Sequence, residues 1–407
     1  MVKTEAAASE ASPPPSTTGS TGIWRFVGYQ LTMQAVFDSA IWIIYLQSRG
    51  YSLGQIGLCE SCFHLAPILA ELPSGSFADI IGRRWSLAAG SALVILSMGL
   101  LWLAPALPVV MLALFLNGAS YSFRSGADQA YLFEVVEGRG GDHTHFAGLF
   151  GKILGAGYLA GAAATWAGAA LSELSYAWPF GLTMLAGLIG VVLAASLPER
   201  TRERRKISLR ETVQAHIDET RKALRAEPTV LAMLLLSALF WMASTLTHLY
   251  MQTRFSSHGI SNGGVGIIAS VTLILSAGGA AVAGRLAGRG RFAWQFALIA
   301  LVAGAGLIGT ASLNLALAIG CYLLAQVAYG VVEPLISSWF NRRIPSSQRA
   351  TILSAESWLF SVMMIGAFPA GGLLAEYAGW GVLYILCGGF TVLLGAGSLL
   401  LTYRKRA

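Results

Sequence analysis

Residues 71–85 read Glu71-Leu-Pro-Ser-Gly75-Ser-Phe-Ala-Asp79-Ile-Ile-Gly82-Arg83-Arg84-Trp85 and lie between two apolar runs, each long enough to cross a bilayer. Gly75, Asp79, Gly82, Arg83 and Arg84 form the pattern G-x-x-x-D-x-x-G-R-R. Gly75 is expected to let two helices approach, and Gly82 to permit a tight reversal. Two adjacent arginines hold such a loop in water on one face of a membrane. Asp79 can receive helix-end N–H groups or an arginine, and so can lock one conformation.

The rest of the chain agrees with a membrane setting. Hydrophobic residues make up 55% of the 407, charged residues 12%, and the mean hydropathy is +0.63. A soluble domain carries about twice that charge fraction. Twelve spans fit the pattern, at about 23–47, 53–78, 84–104, 107–135, 144–171 and 176–197. The second half has about 228–253, 262–287, 292–311, 313–338, 350–375 and 378–402. Of 27 Lys and Arg residues, all but Arg49, Arg254, Arg124 and Lys152 fall in segments on one side of this map. That asymmetry predicts both termini in the cytoplasm and an inner (plasma) membrane location. It also explains the net charge of +7 without nucleic acid, which is not an expected partner.

Residues 1–22 are rich in Ala, Ser, Thr and Pro and are expected to be a disordered cytoplasmic tail. Residues 198–227 are the one long polar stretch, with Ser208-Leu-Arg-Glu211 reading as a capping box, and they predict a cytoplasmic linker with a helix. It joins a lobe at 23–197 to one at 228–403. The halves look like repeats. Tyr45-Leu-Gln-Ser-Arg49 matches Tyr250-Met-Gln-Thr-Arg254, and Gly50-Tyr-Ser-Leu-Gly matches Gly259-Ile-Ser-Asn-Gly. In that register Glu60 faces Ala269, Glu71 faces Ala280, and Asp79 faces Gly288.

The quoted loop, the twelve spans and the internal repeat together resemble the major facilitator superfamily, a group of secondary transporters. The resemblance covers nearly everything after residue 22. It implies an all-α integral membrane fold of twelve helices in two pseudosymmetric six-helix lobes, working by alternating access. Ser125-Gly126-Ala-Asp-Gln-Ala130 resembles fourth-helix sequences of bacterial drug:proton antiporters of that superfamily. The chain lacks the antiporter proline in its fifth span, where it reads Gly151-Lys-Ile-Leu-Gly155-Ala-Gly-Tyr-Leu-Ala-Gly161. Small residues four apart there are expected to seat a neighbouring helix.

Ionisable side chains at bilayer depth are costly and therefore candidates for function. Gln30, Gln34, Asp38 and Tyr45 recur at helical spacing and predict one polar stripe on the first helix. Glu60, His64 and Glu71 share a face of the second. Arg124 and Asp128 are four apart and are expected to pair along the fourth helix, with Asp38 a second partner for Arg124. Trp241, His248 and Trp358 add polar and aromatic surface from the second half. These residues, Asp38 and Glu60 foremost, are the expected sites of proton coupling and substrate binding. Glu71, Gly75, Asp79, Gly82, Arg83, Arg84, Glu134, Glu333 and Glu356 are the expected gate, with Glu134 meeting Arg83 by resemblance. The expected activity is proton-driven export of a hydrophobic or amphipathic small molecule by a monomer in the lipid bilayer. Uptake and lipid flipping are the alternatives, and a receptor or membrane enzyme is a remote one. No nucleophile–base pair or metal-ligand set is evident, and no cofactor beyond the proton gradient is expected. The pair Cys59 and Cys62 reads as buried packing.

Overall fold

A computed structural model describes residues 20–198, 228–286, 292–344 and 346–403, which contain fourteen helices and no strand. They are α1 (Ser20–Gln34), α2 (Trp42–Ser48), α3 (Leu53–Ile80), α4 (Arg83–Leu103), α5 (Leu107–Arg124), α6 (Ala127–Glu137), α7 (His143–Ser172) and α8 (Ala177–Ala195). In the second half come α9 (Pro228–Ser256), α10 (Asn262–Leu286), α11 (Phe292–Thr310), α12 (Leu315–Arg343), α13 (Ser346–Ala378) and α14 (Trp380–Tyr403). The tail before residue 20, the Ser208–Glu211 capping pattern with all of the 198–227 linker but Pro198, and Gly288, Arg289 and Arg291 lie outside the described residues.

Among the described residues, eleven stretches are long and apolar enough to cross a membrane. The twelfth crossing is α1 and α2 together, each too short to span alone. The first span is therefore not the continuous helix that its polar stripe predicts. The fourth span is also interrupted, at Ser125–Gly126, where Gly126 has φ +79°. Successive crossings alternate between two ends of the bundle, named here for Arg83 and for Gly50. At the Arg83 end, Gly82 caps α4 with φ +117°, a left-handed backbone that only glycine adopts cheaply. Gly75 behaves differently from expectation. It is exposed, and a Cβ there would meet nothing within 4 Å, so it seats no helix.

The repeat is visible at the Gly50 end. Gly50 and Gly259 both turn with positive φ, +91° and +86°. Just before them, Arg49 donates to the carbonyl of Leu103 at the close of α4. Arg254 donates to Thr310 and Ser312 at the close of α11. A cation at a helix C-terminus answers the carbonyls left over there and the negative end of the dipole. One arginine is exposed and the other only 2% exposed, so the same device has been buried in one half.

The two halves meet closely at the Gly50 end along α3–α13 and α7–α10. Gly57 lies against the Phe368 carbonyl and Pro369, and Gly372 lies against Leu53. Gly266 packs on Ala169, and the Ser270 hydroxyl donates to the Ala162 carbonyl at 2.6 Å. Glu173, just past α7, accepts the Gly263 N–H at 2.8 Å and thereby caps α10 from the other half. That hydrogen bond, with a second from Ser261, holds its carboxyl below the ordinary glutamate range. A lowered carboxylate contributes fully above its ordinary value, about 4.3, and its contribution fades as the pH falls through the lowered value. Spin labels at the exposed positions 174 and 257 are expected to move apart on that acid side, and Glu173→Gln to flatten the response. An unchanged acid response in the variant would assign the movement to other groups.

Candidate functional site

The break in the first span is the centre of the candidate site. Between Gln34 and Trp42 the main chain leaves the helical ladder, and in an apolar setting each freed N–H or C=O needs another partner. Those partners come from distant helices. Thr183 of α8 accepts the Phe37 N–H at 3.0 Å and donates its own proton to the Asp38 carboxylate at 2.7 Å. Ser39 shares a hydroxyl–hydroxyl bond of 2.7 Å with Thr165 of α7. The Ser39 carbonyl accepts from Gln252 of α9 at 2.8 Å, and Gln252 Oε1 accepts the Ile43 N–H at 3.3 Å. The Asp38 carbonyl starts α2 by accepting from Ile41 and Trp42.

Glycines of α7 give this segment its room. A Cβ on Gly161 would come within 3.1 Å of the Gln34 carbonyl, Gly157 touches the Gln34 side chain, and Gly168 lies directly on the Phe37 carbonyl. The expected small-residue stripe is thus shifted. Gly151 and Gly155, counted in it from the sequence, face open space. Asp38 is 4% exposed and its hydrogen-bond partner is an uncharged hydroxyl. It lies against α8 inside the first lobe. Tyr45, on the far side of the break, is buried and donates to the Trp102 carbonyl.

Glu60, 7% exposed, has no hydrogen bond or ion pair among the described residues. One turn on, His64 stacks on Phe368 at 5.6 Å and meets Phe360 edge-on at 5.5 Å, both from α13. Ser61 donates to the Ile365 carbonyl at 2.7 Å. Glu71, toward the Arg83 end, accepts Ser354 Oγ and Trp358 Nε1, each at 2.6 Å. The α3 face predicted to carry Glu60, His64 and Glu71 therefore faces the other lobe, and Trp358 joins the gate side of the inventory through Glu71.

Arg124 and Asp128 do not pair, because the helix between them is broken at Gly126 and the four-residue spacing no longer measures one turn. Arg124 Nε donates to the Ser120 carbonyl at 3.3 Å, its stem filling the space over Gly90. Asp128 accepts from Gln30 at 3.1 Å. Nor does Arg124 reach Asp38, whose carboxylate is turned to Thr183. Arg83 and Glu134 do meet, at 3.1 Å. Arg84 packs over Trp85, and Asp79, exposed, has no partner among the described residues.

In the second lobe His248 Nδ1 bonds the Tyr322 hydroxyl at 2.9 Å, and Trp241 lies half-buried edge-on to Phe240. Glu356 accepts from Ser237 at 2.5 Å, and Glu333 lies near enough to act on it electrostatically. Among the described residues no group of three His, Cys, Asp or Glu is placed to hold a metal ion, and the four cysteines are free. Sequence reading missed Thr183, Thr165 and Ser354, which have no distinguishing neighbours. Gln252 is marked in the sequence by its place in the repeated Tyr-x-Gln motif, which points to the repeat and not to the break it holds.

Residues 28–367 match the family model described as Major Facilitator Superfamily. A curated relative, the uncharacterized MFS-type transporter YxaM of Bacillus subtilis (strain 168), is 33% identical over 98 residues, 24% of this chain and 25% of that protein's length. Among solved structures, a mutant of the nucleoside transporter NupG superposes with a TM-score of 0.77 at 14% identity, covering 94% of this chain and 99% of that one. A D-xylose-proton symporter gives 0.72 at 16%, covering 93% and 96%. A bacterial homolog of the human lysosomal transporter Spinster, inward-facing and unoccupied, gives 0.73 at 15%, covering 95% and 98%. At such identities the likeness is one of fold.

Proposed function

Since the chain belongs to the Major Facilitator Superfamily, and so is a membrane-embedded transporter of a small molecule, we propose that it couples proton entry to export of a hydrophobic or amphipathic compound. One observation carries the reading: Asp38 and Glu60 are buried inside the helical bundle and neither is neutralised by a cation among the described residues. A carboxyl group kept there without a cationic partner has a use for its proton. Asp38 bears on the break of the first span, and Glu60 on the contact between lobes. Gain or loss of a proton at either changes the relative cost of the lobe arrangements, as coupling requires.

The Arg83 end is the cytoplasmic end in this proposal, since the short loops there carry the excess of arginine. Glu71 with Ser354 and Trp358, and Arg83 with Glu134, then form the inner gate, while α3–α13 and α7–α10 close the outer one. The protein works as a monomer, with the proton gradient in place of a cofactor. The linker at 198–227 ties lobe 23–197 to lobe 228–403 on the cytoplasmic face. Uptake is the second reading. Two of the structural neighbours carry names of polar solutes, a nucleoside and a sugar, and the second of them is called a proton symporter.

Everted membrane vesicles from cells making the protein decide direction. With the lumen acidified, they are expected to accumulate an amphipathic dye, and a protonophore to release it. Accumulation by right-side-out vesicles acidified outside would replace export by uptake, and indifference to the gradient in both would remove proton coupling.

A further inference from the structure

Gln252 does something unusual for a side chain 3% exposed: it spends both ends of its amide on the main chain of the other lobe. Its Nε2 donates to the Ser39 carbonyl ahead of α2, and its Oε1 accepts from Ile43 within the first turn of α2. The neighbouring main-chain and side-chain groups of the break, Phe37 N–H and Ser39 Oγ, are instead held by Thr183 and Thr165 of the first lobe. The loosened segment is therefore fastened to both lobes, with the seam passing through residue 39.

We propose that Gln252 is a positioning residue that makes the break of the first span and the closure of the Gly50 end a single two-state element. The proposal takes its purpose from the transport reading, but its geometry and its test stand apart from proton coupling. If the lobes separate at that end, Gln252 is drawn off, and the Ser39 carbonyl and Ile43 N–H lose their partners. Buried groups of this kind do not stay unpaired. Either water enters the break or α2 rewinds onto α1, and both outcomes rebuild the surroundings of Asp38, one residue away. The counterpart of Gln252 in the repeat, Gln47, is exposed, so the fold itself does not ask for this clamp.

Other titratable groups around the clamp are engaged elsewhere. On α9, His248 bonds Tyr322, Arg254 bonds Thr310 and Ser312, and Tyr250 bonds the Phe368 carbonyl. On the first span, Tyr45 bonds the Trp102 carbonyl and Asp38 bonds Thr183.

The test uses the full chain without its native cysteines, carrying Asp38→Asn so that residue 38 no longer titrates. Spin labels at the exposed positions 48 and 257 report the opening of the Gly50 end by pulsed electron resonance. Gln252→Leu removes both hydrogen bonds and is expected to raise the open-to-closed ratio at least tenfold at every pH, about 1.4 kcal/mol. Gln252→Glu is the discriminating variant. As a neutral acid it donates one bond and accepts the other, as the amide does. As a carboxylate it opposes the Ser39 carbonyl. It is expected to match the parent at the acid end of the range and the Leu variant at the alkaline end, with the parent subtracting the response of Glu173 and other acids. A leucine variant as closed as the parent overturns the proposal, as does a glutamate variant that follows the parent, or stays open, throughout. If the leucine variant does not purify as a monodisperse protein, the glutamate variant, which keeps both bonds when neutral, decides alone.

Discussion

Replacing Asp38 by asparagine is expected to abolish gradient-driven accumulation of substrate while leaving the protein inserted and folded. The amide oxygen of asparagine can still accept the Thr183 hydroxyl, so the bond of 2.7 Å and the anchoring of Phe37 through the same threonine are retained. Only the exchangeable proton is lost. A step of two pH units stores about 2.7 kcal/mol per proton, enough to concentrate a solute about 100-fold if one proton is exchanged per molecule. The variant is expected to equilibrate the substrate without concentrating it. Initial rates and final ratios in vesicles with and without a pH step measure this, beside a melting curve matching the parent's. A variant that still concentrates substrate to the parent's ratio would remove Asp38 from the coupling and leave Glu60 as the acid to examine.

The second large effect is on folding, and it separates glycines that look alike in the sequence. Gly168→Leu puts a branched side chain where α7 already rests on the Phe37 carbonyl. Backbone stands on both sides of that contact, so nothing flexible can yield. Overpacking of well-filled sites costs about 1–3 kcal/mol, and more where backbone must shift. Here the shift would also loosen the bonds that Thr183, Thr165 and Gln252 make to the break. Loss of most folded protein, read as a collapse of the monodisperse peak and of the melting transition, is the expected result. Gly155→Leu in the same helix meets open space and is expected to behave as the parent, within about 0.5 kcal/mol. Equal damage from the two would mean that helix propensity or insertion dominates, rather than the contact with the first span.

That contrast shows what could be read from the letters. The number of crossings, the alternation of ends, the Gly82 reversal and the repeat of Arg49 and Arg254 are written locally, in hydropathy, turn residues and spacing. The Arg83–Glu134 pair was expected by resemblance, and the structure places the two 3.1 Å apart. The break in the first span was not legible. Residues 35–41 contain no glycine or proline, and their hydropathy continues that of α1. Its causes are a threonine on α8, a glutamine on α9 and a glycine on α7, whose identities say nothing until the helices are assembled. The separation of Arg124 from Asp128 was half legible: Gly126 stands between them, yet a glycine inside an apolar run is usually tolerated in a helix. Glu60, His64 and Glu71 share a face by simple periodicity, and periodicity placed them correctly on a common side, though not against which neighbour.

The interruption of the first span also bears on how the protein is made. Thr183 and Gln252 lie 146 and 209 residues beyond the main-chain groups they hold. Chains emerge from the ribosome N-terminus first. When the first span enters the bilayer, nothing that satisfies its loosened turn exists, and lipid offers no substitute. An unbroken helix at that stage would satisfy those groups, and the break as seen here needs both the first lobe, through Thr183, and the second, through Gln252.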